Sequence, residues 1–268
     1  MKPIYILKIG GSVATHKNKK GFSVRHSLMK KVAQSIIFAK KEKDFDLVLV
    51  HGAGGFGHTL AKEYALMDGT GNDKRKIEGA LLSRNANQRL NNAITEIFVS
   101  EGLPITSVHT ASVIINDNKK IVDFNMLTIK ESLKKNCIPI LYGDMVFDKK
   151  LGMTICSGDA IVPYLADKLK IKKMFFASDI EGVFTKDPYL HNDAELVENI
   201  SLKNIKKNIK LSESHNADAT GGLLGKIKKI SILCGKGSKS VEIFNGLNEK
   251  NYEKILLGKN FPHTRIIL

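Results

Sequence analysis

The sequence contains no tryptophan, few cysteines and no long apolar run, and each absence argues against a class of protein. Its three cysteines, Cys137, Cys156 and Cys234, lie far apart without a CxxC pair, so neither a disulfide framework nor a zinc site is predicted. No stretch approaches the roughly 18 consecutive apolar residues that span a bilayer. The apolar run near the N-terminus ends in glycines instead of a signal cleavage site. We therefore expect a cytoplasmic protein without a membrane partner.

Acidic residues are fewer than basic ones. The sequence has 27 aspartates and glutamates and 42 lysines and arginines, which gives a formal net charge of +15. Such a charge suits nucleic acids, acidic membranes or small polyanionic substrates. The basic residues are mostly lysines in short runs such as KNKK and KKEK, without aromatic residues between them. This pattern is more typical of solvated faces than of a nucleic-acid surface, so we expect no nucleic-acid partner.

Apolar, β-rich runs alternate with helical patterns along the 268 residues. This alternation predicts an α/β fold with a mostly parallel central sheet and helices on both faces. Strands are expected at 4–9, 46–50, 104–108, 137–142, 173–177, 240–244 and 264–268, and a hairpin across 145–156. Helices are expected near 26–41, within 74–100, near 125–135 and 249–256, and after Gly158 and Gly221.

The chain shows no linker or internal repeat, and we expect one domain over residues 1–268. A soft division near residue 144 separates two lobes that share a sheet. Residues 67–73 (MDGTGND) are predicted to form a flexible polar loop of the kind that acts as a lid over a site.

Two strands are each followed directly by glycines. The first segment is IYILKIGGS (4–12), with Lys8 near the strand end, and the second is VLVHGAGGFGH (48–58). Glycines after a strand let backbone N–H groups approach an anion, and a lysine adds a positive charge. The second segment fits G-x-G-x-x-G, but no strand ending in an acidic residue follows about 20 residues later, which argues against a dinucleotide site. Two such turns better suit two phosphate groups that face each other.

Gly-Asp corners follow two further predicted strands, YGD at 142–144 and SGD at 157–159. Such corners place a carboxylate at the carboxyl edge of the sheet, where α/β folds bind ligands, although Asp159 could equally be an ordinary helix cap. A later segment, DATGGLLGK (218–226), is not a classical P-loop, because Thr220 stands where glycine is required and Ile227 follows Lys226.

Taken together, KIGGS, HGAGGFGH, YGD, SGD, SDIEGVFTKDP, DATGG-x-x-GK and a terminal TRI resemble the amino acid kinase superfamily in order and spacing, nearly from end to end. The glycine loop that ends in Phe56, Gly57 and His58 is similar to that of the isopentenyl phosphate kinases, with the fosfomycin kinases nearest to them. The resemblance implies a three-layer αβα sandwich, usually a homodimer. It also implies that the lobe 1–144 binds the acceptor and the lobe 145–268 binds the nucleotide.

The resemblance assigns roles to individual residues as well. Contacts to the ATP phosphates are implied for Lys8, Gly10, Gly11, Ser12 and Gly54, and the nucleotide side is implied to include Asp179, Gly222 and Lys226. Lys17 matches the lysine that stabilises the transition state. The positions that hold the acceptor phosphate are matched by Ala53, His58 and Gly158. The implied catalytic residues are Lys8, Lys17 and His58.

Phosphoryl transfer to an ionised phosphate needs positioning and charge neutralisation but no general base. His58 is therefore expected to donate a hydrogen bond. Mg²⁺ is expected to arrive bound to ATP, so no metal site on the protein is predicted. In the family the long helix walls the isoprenoid tail with bulky side chains, and here Ile77, Ala80, Leu81 and Leu82 are smaller, which predicts a roomier pocket.

Three functions remain open from the sequence. The first is phosphorylation of isopentenyl phosphate to isopentenyl diphosphate for isoprenoid synthesis by an archaeal-type mevalonate route. The second keeps the fold and takes a phosphonate or another small phosphate as acceptor. The third is a basic nucleic-acid-binding or regulatory module, which has no need of lysines beside glycine turns. A carboxylate acceptor, as in acetylglutamate or aspartate kinases, gives no reason for the loop that ends in His58.

Overall fold

The structure is a computed structural model that describes residues 2–16, 23–171, 173–186, 188–201 and 240–267. Its strands are β1 Ile4–Ile9, β2 Asp46–His51, β3 Ile105–Ser107, β4 Ile114–Asp117, β5 Lys120–Phe124, β6 Ile138–Tyr142, β7 Asp144–Asp148, β8 Gly152–Cys156, β9 Lys173–Ser178, β10 Asn199–Ser201, β11 Ser240–Asn245 and β12 Thr264–Ile267. Its α-helices are α1 Gly11–Ala14, α2 His26–Glu42, α3 Gly54–Glu63, α4 Lys74–Ser100, α5 Thr110–Val113, α6 Leu127–Lys134, α7 Gly158–Lys168 and α8 Lys250–Leu257.

The main sheet has eight strands in the order β10-β12-β11-β9-β1-β2-β6-β3. All neighbouring pairs are parallel except β11 and β12. A strand buried on both faces sends alternate side chains into two cores. In β1, Tyr5, Leu7 and Ile9 pack with α2, α4 and α8, whereas Ile6 packs with α6 and α7 on the other face. The predicted three-layer αβα fold with a mostly parallel central sheet is therefore confirmed.

The helices bury one stripe of side chains each. In α2, the residues Met29, Val32, Ala33, Ile36 and Ala39 are all buried, and their spacing of three or four keeps them on one face of the helix. This stripe packs on the sheet, and the remaining face carries lysines. No helix in the described part of the chain is long and apolar enough to cross a membrane.

A second, four-stranded sheet in the order β5-β4-β7-β8 was not expected from the sequence. The predicted hairpin across 145–156 is present as β7 and β8, but it belongs to this smaller sheet. The main sheet does take strands from both sides of residue 144, as expected. The functional division into two lobes stays a prediction.

The polar loop predicted at 67–73 lies between α3 and α4 and is bonded to the small sheet, whereas its flexibility and its action as a lid stay predictions. Leu66–Asp68 forms a 3₁₀ turn, and Thr70 is buried. The amide of Thr70 donates to the carbonyl of Met153 at 3.1 Å, and its hydroxyl accepts from the Met153 amide at 2.9 Å. Buried polar groups are hydrogen-bonded, and here the partners come from strand β8. These bonds tie the loop to the β7–β8 hairpin.

Candidate active site

A cavity of about 540 Å³ opens at the carboxyl ends of β1, β2, β6 and β9. Every sequence-predicted site residue that the structure describes lines this one cavity: Lys8, Gly10, Gly11, Ser12, Ala53, Gly54, His58, Gly158 and Asp179. The parallel strands bring these segments together, because their carboxyl ends meet at one edge of the sheet.

The two glycine-rich loops touch through their backbones. A Cβ added at Gly11 would lie 2.6 Å from the amide nitrogen of Gly54, and one at Gly52 would lie 2.7 Å from the amide nitrogen of Gly11. Gly54 also has a positive φ of 62°, a conformation that side chains strongly disfavour. Any other residue at these positions would push the loops apart.

Two helices begin at the cavity. Helix α3 starts at Gly54 and α7 starts at Gly158, and neither N-cap residue, Ala53 or Ser157, caps its helix through its side chain within the described structure. The first-turn amides of such helices carry partial positive charge and bind anions. His58 lies one turn inside α3, which begins four residues earlier at Gly54. It is exposed and lines the cavity.

Lys8 reaches the cavity from the end of β1 and forms an ion pair with Asp159 in the first turn of α7. Their side chains are 12% and 21% exposed, so water screens the pair only partly. The Lys8 ammonium also lies 5.5 Å from the centre of the Phe176 ring. A Cβ at Gly158 would lie 3.2 Å from Cε of Lys8 and 3.2 Å from Cγ1 of Val50, so a side chain there would crowd the lysine. Asp159 lies inside the first turn, beyond the N-cap position of Ser157, and its carboxylate holds the lysine at the site.

Asp144 is a second carboxylate on the cavity wall, and it is 2% exposed. Asn87 of α4 donates a hydrogen bond to its Oδ1 at 3.1 Å, whereas its Oδ2 has no hydrogen-bond partner among the described residues. Burial raises the pKa of Asp144 to about 6, although the hydrogen bonds from Asn87 and from the Met145 amide oppose the shift. The side chain therefore titrates near neutral pH.

The end of the cavity farther from β9 is bounded by side chains of α3, α4 and the small sheet. Ala61, Met145 and Ile155 provide apolar surface, while Ser83 and Asn87 are the residues of α4 that line it. The expectation for α4 is wrong in detail, since Ile77, Ala80, Leu81 and Leu82 are absent from the lining in the described structure. Leu81 and Leu82 are 51% and 43% exposed, and Ala80 is buried against Met145 and Met153.

The sequence as a whole matches known proteins over nearly its full length. The model of the amino acid kinase family matches residues 3–245. An isopentenyl phosphate kinase from Methanothermobacter thermautotrophicus is 32% identical over 267 residues, which span 97% of this chain and 98% of that protein. One from Methanocaldococcus jannaschii is 35% identical, with 95% of each chain covered.

The chain belongs to the isopentenyl phosphate kinases of the amino acid kinase family. A crystal structure of an isopentenyl phosphate kinase superposes with a TM-score of 0.84 at 29% identity, and the match covers 98% of this chain and 99% of the other. The cavity therefore lies in a fold shared from end to end with this kinase family.

Three residues to which the family resemblance gives roles, Lys17, Gly222 and Lys226, lie outside the described residues. The roles of all the sequence-predicted site residues stay predictions. Thr15, Ser83 and Asn87 also line the cavity, although they belong to none of the sequence motifs described above. Asp144 and Asp159, predicted only as members of Gly-Asp corners, line it as well. The spacing of Ser83 and Asn87, four residues apart on a predicted helix, was an available signal that both lie on one face.

Proposed function

We propose that this member of the isopentenyl phosphate kinases transfers the γ-phosphoryl group of ATP to isopentenyl phosphate, giving isopentenyl diphosphate and ADP. The observation that carries the proposal is the pair of glycine loops in direct contact in one cavity, with Lys8 beside them. Backbone amides and a lysine suit two phosphate groups brought end to end. The near full-length relatives named for this activity support the same conclusion.

The nucleotide occupies the side formed by Gly10, Gly11, Ser12 and Asp179. A Cβ at Gly10 would lie 2.8 Å from the carbonyl oxygen of Ala177, so only glycine fits at this position. The ATP phosphates therefore meet backbone atoms here. Lys8, held by Asp159, offsets negative charge on the transferring group. Mg²⁺ arrives bound to the ATP phosphates and neutralises charge there.

The acceptor phosphate binds between Ala53, Gly158 and His58, which lies one turn inside α3, while Gly54 at the start of α3 contacts the ATP phosphates. The helix amides and the His58 ring donate hydrogen bonds to the phosphate oxygens. No residue has to remove a proton, because the attacking oxygen is already ionised. The hydrocarbon tail then lies against Ala61, Met145 and Ile155.

A phosphonate or another small phosphate is the second candidate acceptor. Ser83, Asn87 and Asp144 place polar groups at the acceptor end, which a purely hydrocarbon tail does not require. The two candidates share the fold and the phosphate site and differ only in the group beyond the phosphate.

The test is ADP release from MgATP with a panel of acceptors: isopentenyl phosphate, dimethylallyl phosphate, fosfomycin, a hydroxyl-bearing alkyl phosphate and glutamate. We expect the highest kcat/KM with isopentenyl phosphate. Faster turnover of fosfomycin or the hydroxyl-bearing phosphate would favour the second candidate, and turnover of glutamate alone would refute both.

His58→Ala serves as the site variant in the same assay, and His26→Ala, another exposed histidine that lies outside the cavity lining, is its control. Loss of a donor aimed at the transferring charge costs about 10²–10³ in kcat. An unchanged rate in His58→Ala would exclude the role given to this side chain. A homodimer stays a prediction of the family resemblance, which light scattering of the purified protein tests.

A further inference from the structure

Thr15 lies at the end of the first glycine loop and bonds to both loops. Its hydroxyl donates to the carbonyl of Gly11 at 2.8 Å and accepts from the amide of Gly55 at 3.4 Å. The residue is 1% exposed. One buried hydroxyl thus connects the loop after β1 with the first turn of α3.

The rest of the Thr15 side chain fills the space beside the second loop. A Cβ added at Gly54 would meet the Thr15 Cγ2 and Oγ1 atoms at 2.8 Å. The Thr15 backbone is held from the other side by a bridge to Val24 and by Arg25, whose Nε donates to the Thr15 carbonyl at 3.3 Å. A β-branched side chain on a fixed backbone has little rotational freedom. Its hydroxyl is therefore held in place between the loops.

We propose that Thr15 is a positioning residue that locks the two glycine loops together and so sets the distance between the donor and acceptor phosphates. The consequence for catalysis rests on the proposed function, in which the first loop binds ATP and the second binds the acceptor. In-line transfer depends steeply on this distance, and a misplacement of about 1 Å costs up to about 10²-fold in rate. Thr15 acts through the backbone of Gly11 and Gly55.

Two substitutions distinguish the effect of the Thr15 hydroxyl from the effect of the side chain's shape. Thr15→Val keeps the branched shape and removes both hydrogen bonds, whereas Thr15→Ser keeps the hydroxyl and removes the methyl group. With isopentenyl phosphate and MgATP, we expect kcat to fall about tenfold or more in Thr15→Val, with KM for ATP within about threefold of wild type. Thr15→Ser is expected to retain kcat within about threefold.

Amide hydrogen exchange, measured by mass spectrometry on peptides that cover residues 52–58, tests whether Thr15 holds the two loops together. This measurement needs no acceptor. We expect faster exchange in Thr15→Val than in Thr15→Ser or wild type, because the Gly55 amide loses its partner. Melting temperatures of all three proteins show whether the folds are equally stable. If Thr15→Val does not fold, Thr15→Ala and Thr15→Ser form the comparison.

Equal kcat in Thr15→Val and wild type, or an equal fall in the valine and serine variants, would overturn the proposal, as would unchanged exchange of 52–58. If wild type does not phosphorylate isopentenyl phosphate, the proposed function fails, yet the exchange comparison still decides whether Thr15 locks the loops.

Discussion

The two walls of the cavity differ in the atoms that they expose, because one exposes backbone and the other side chains. Gly10, Gly11, Gly52 and Gly54, here called the glycine wall, present backbone atoms packed so tightly that no side chain fits. The helix wall, formed by Ser83, Asn87, Asp144, Met145 and Ile155, presents side chains of α4 and the small sheet. Backbone atoms recognise the phosphate group that all the acceptors share. Side chains, in contrast, can be matched in shape and polarity to the rest of the acceptor. Substitutions in the glycine wall should therefore slow the reaction with every acceptor, whereas substitutions in the helix wall should change which acceptor is preferred.

The largest effect is expected from Lys8→Met, at the edge of the glycine wall. The change removes the charge beside the transferring group and leaves Asp159 without its lysine. We expect kcat to fall about 10³-fold with every acceptor, as measured by ADP release. Lys2→Met is the control, because it removes a lysine paired with Asp46 at the surface and should leave kcat unchanged. A general role for Lys8 is contradicted if only one acceptor is affected.

The next effect is expected from Gly11→Ala, which breaks the glycine wall itself. The new Cβ would lie 2.6 Å from the Gly54 amide nitrogen, so the loops must separate. We expect kcat/KM to fall about 10²-fold and the free energy of unfolding to drop by about 1–3 kcal/mol, as measured kinetically and by denaturant unfolding. Gly55→Ala is the stability control, because its Cβ would meet no described atom within 4 Å. Equal stability losses in the two variants would contradict this account.

A smaller and more selective effect is expected from Ser83→Leu in the helix wall. The added side chain enters the acceptor end of the cavity, so KM for isopentenyl phosphate should rise about tenfold, while KM for ATP stays within about threefold. Leu82→Ala is the control, because the exposed Leu82 lies outside the cavity lining in the described structure and should leave both constants unchanged. A change of acceptor preference in Leu82→Ala would restore the original expectation for α4.

The last effect concerns stability and not catalysis, and is a pH dependence at Asp144. The folded protein raises its pKa from 3.8 to about 6, so the native state holds this proton more tightly than the unfolded chain. The contribution to stability is full below about pH 4 and is lost as the pH rises through about 6. Asp144→Asn removes this loss. Its melting temperature relative to wild type should therefore be higher at about pH 7.5 than at about pH 4.5, by the equivalent of about 2 kcal/mol.

His51 provides an internal check on that measurement. Burial lowers its pKa from 6.5 to about 4, so its contribution to stability grows as the pH rises through this range. In wild type, the effects of Asp144 and His51 on the pH dependence of stability have opposite signs. The His51 contribution is the same in wild type and Asp144→Asn, so it cancels when their melting temperatures are compared. A difference in melting temperature that does not change with pH would show that Asp144 has an ordinary pKa.

The main sheet and the glycine wall were predictable because their signals are local. A strand buried on both faces appears as an apolar run such as DLVLVH (46–51), and the glycines directly follow it. The hairpin of β4 and β5 was missed because its strands are short and partly exposed. Its turn places Asn118 and Lys119 at positive φ, without the glycine that usually marks such a turn.

The helix wall could not be predicted from hydrophobicity. Leu81 and Leu82 are apolar but point away from the cavity, and the polar Ser83 and Asn87 line it. Thr15 carried no signal either, because its partner Gly55 lies 40 residues away in the chain. Contacts of this kind depend on how two elements are oriented, which local patterns do not encode.

The central claim is that this cavity joins a phosphoryl group of ATP to the phosphate of isopentenyl phosphate. Phosphorus NMR of the purified protein with MgATP and isopentenyl phosphate tests it most directly. We predict that the isopentenyl phosphate signal disappears as two mutually coupled diphosphate signals and those of ADP grow in equal amounts. An unchanged isopentenyl phosphate signal, with or without release of inorganic phosphate, would contradict the claim.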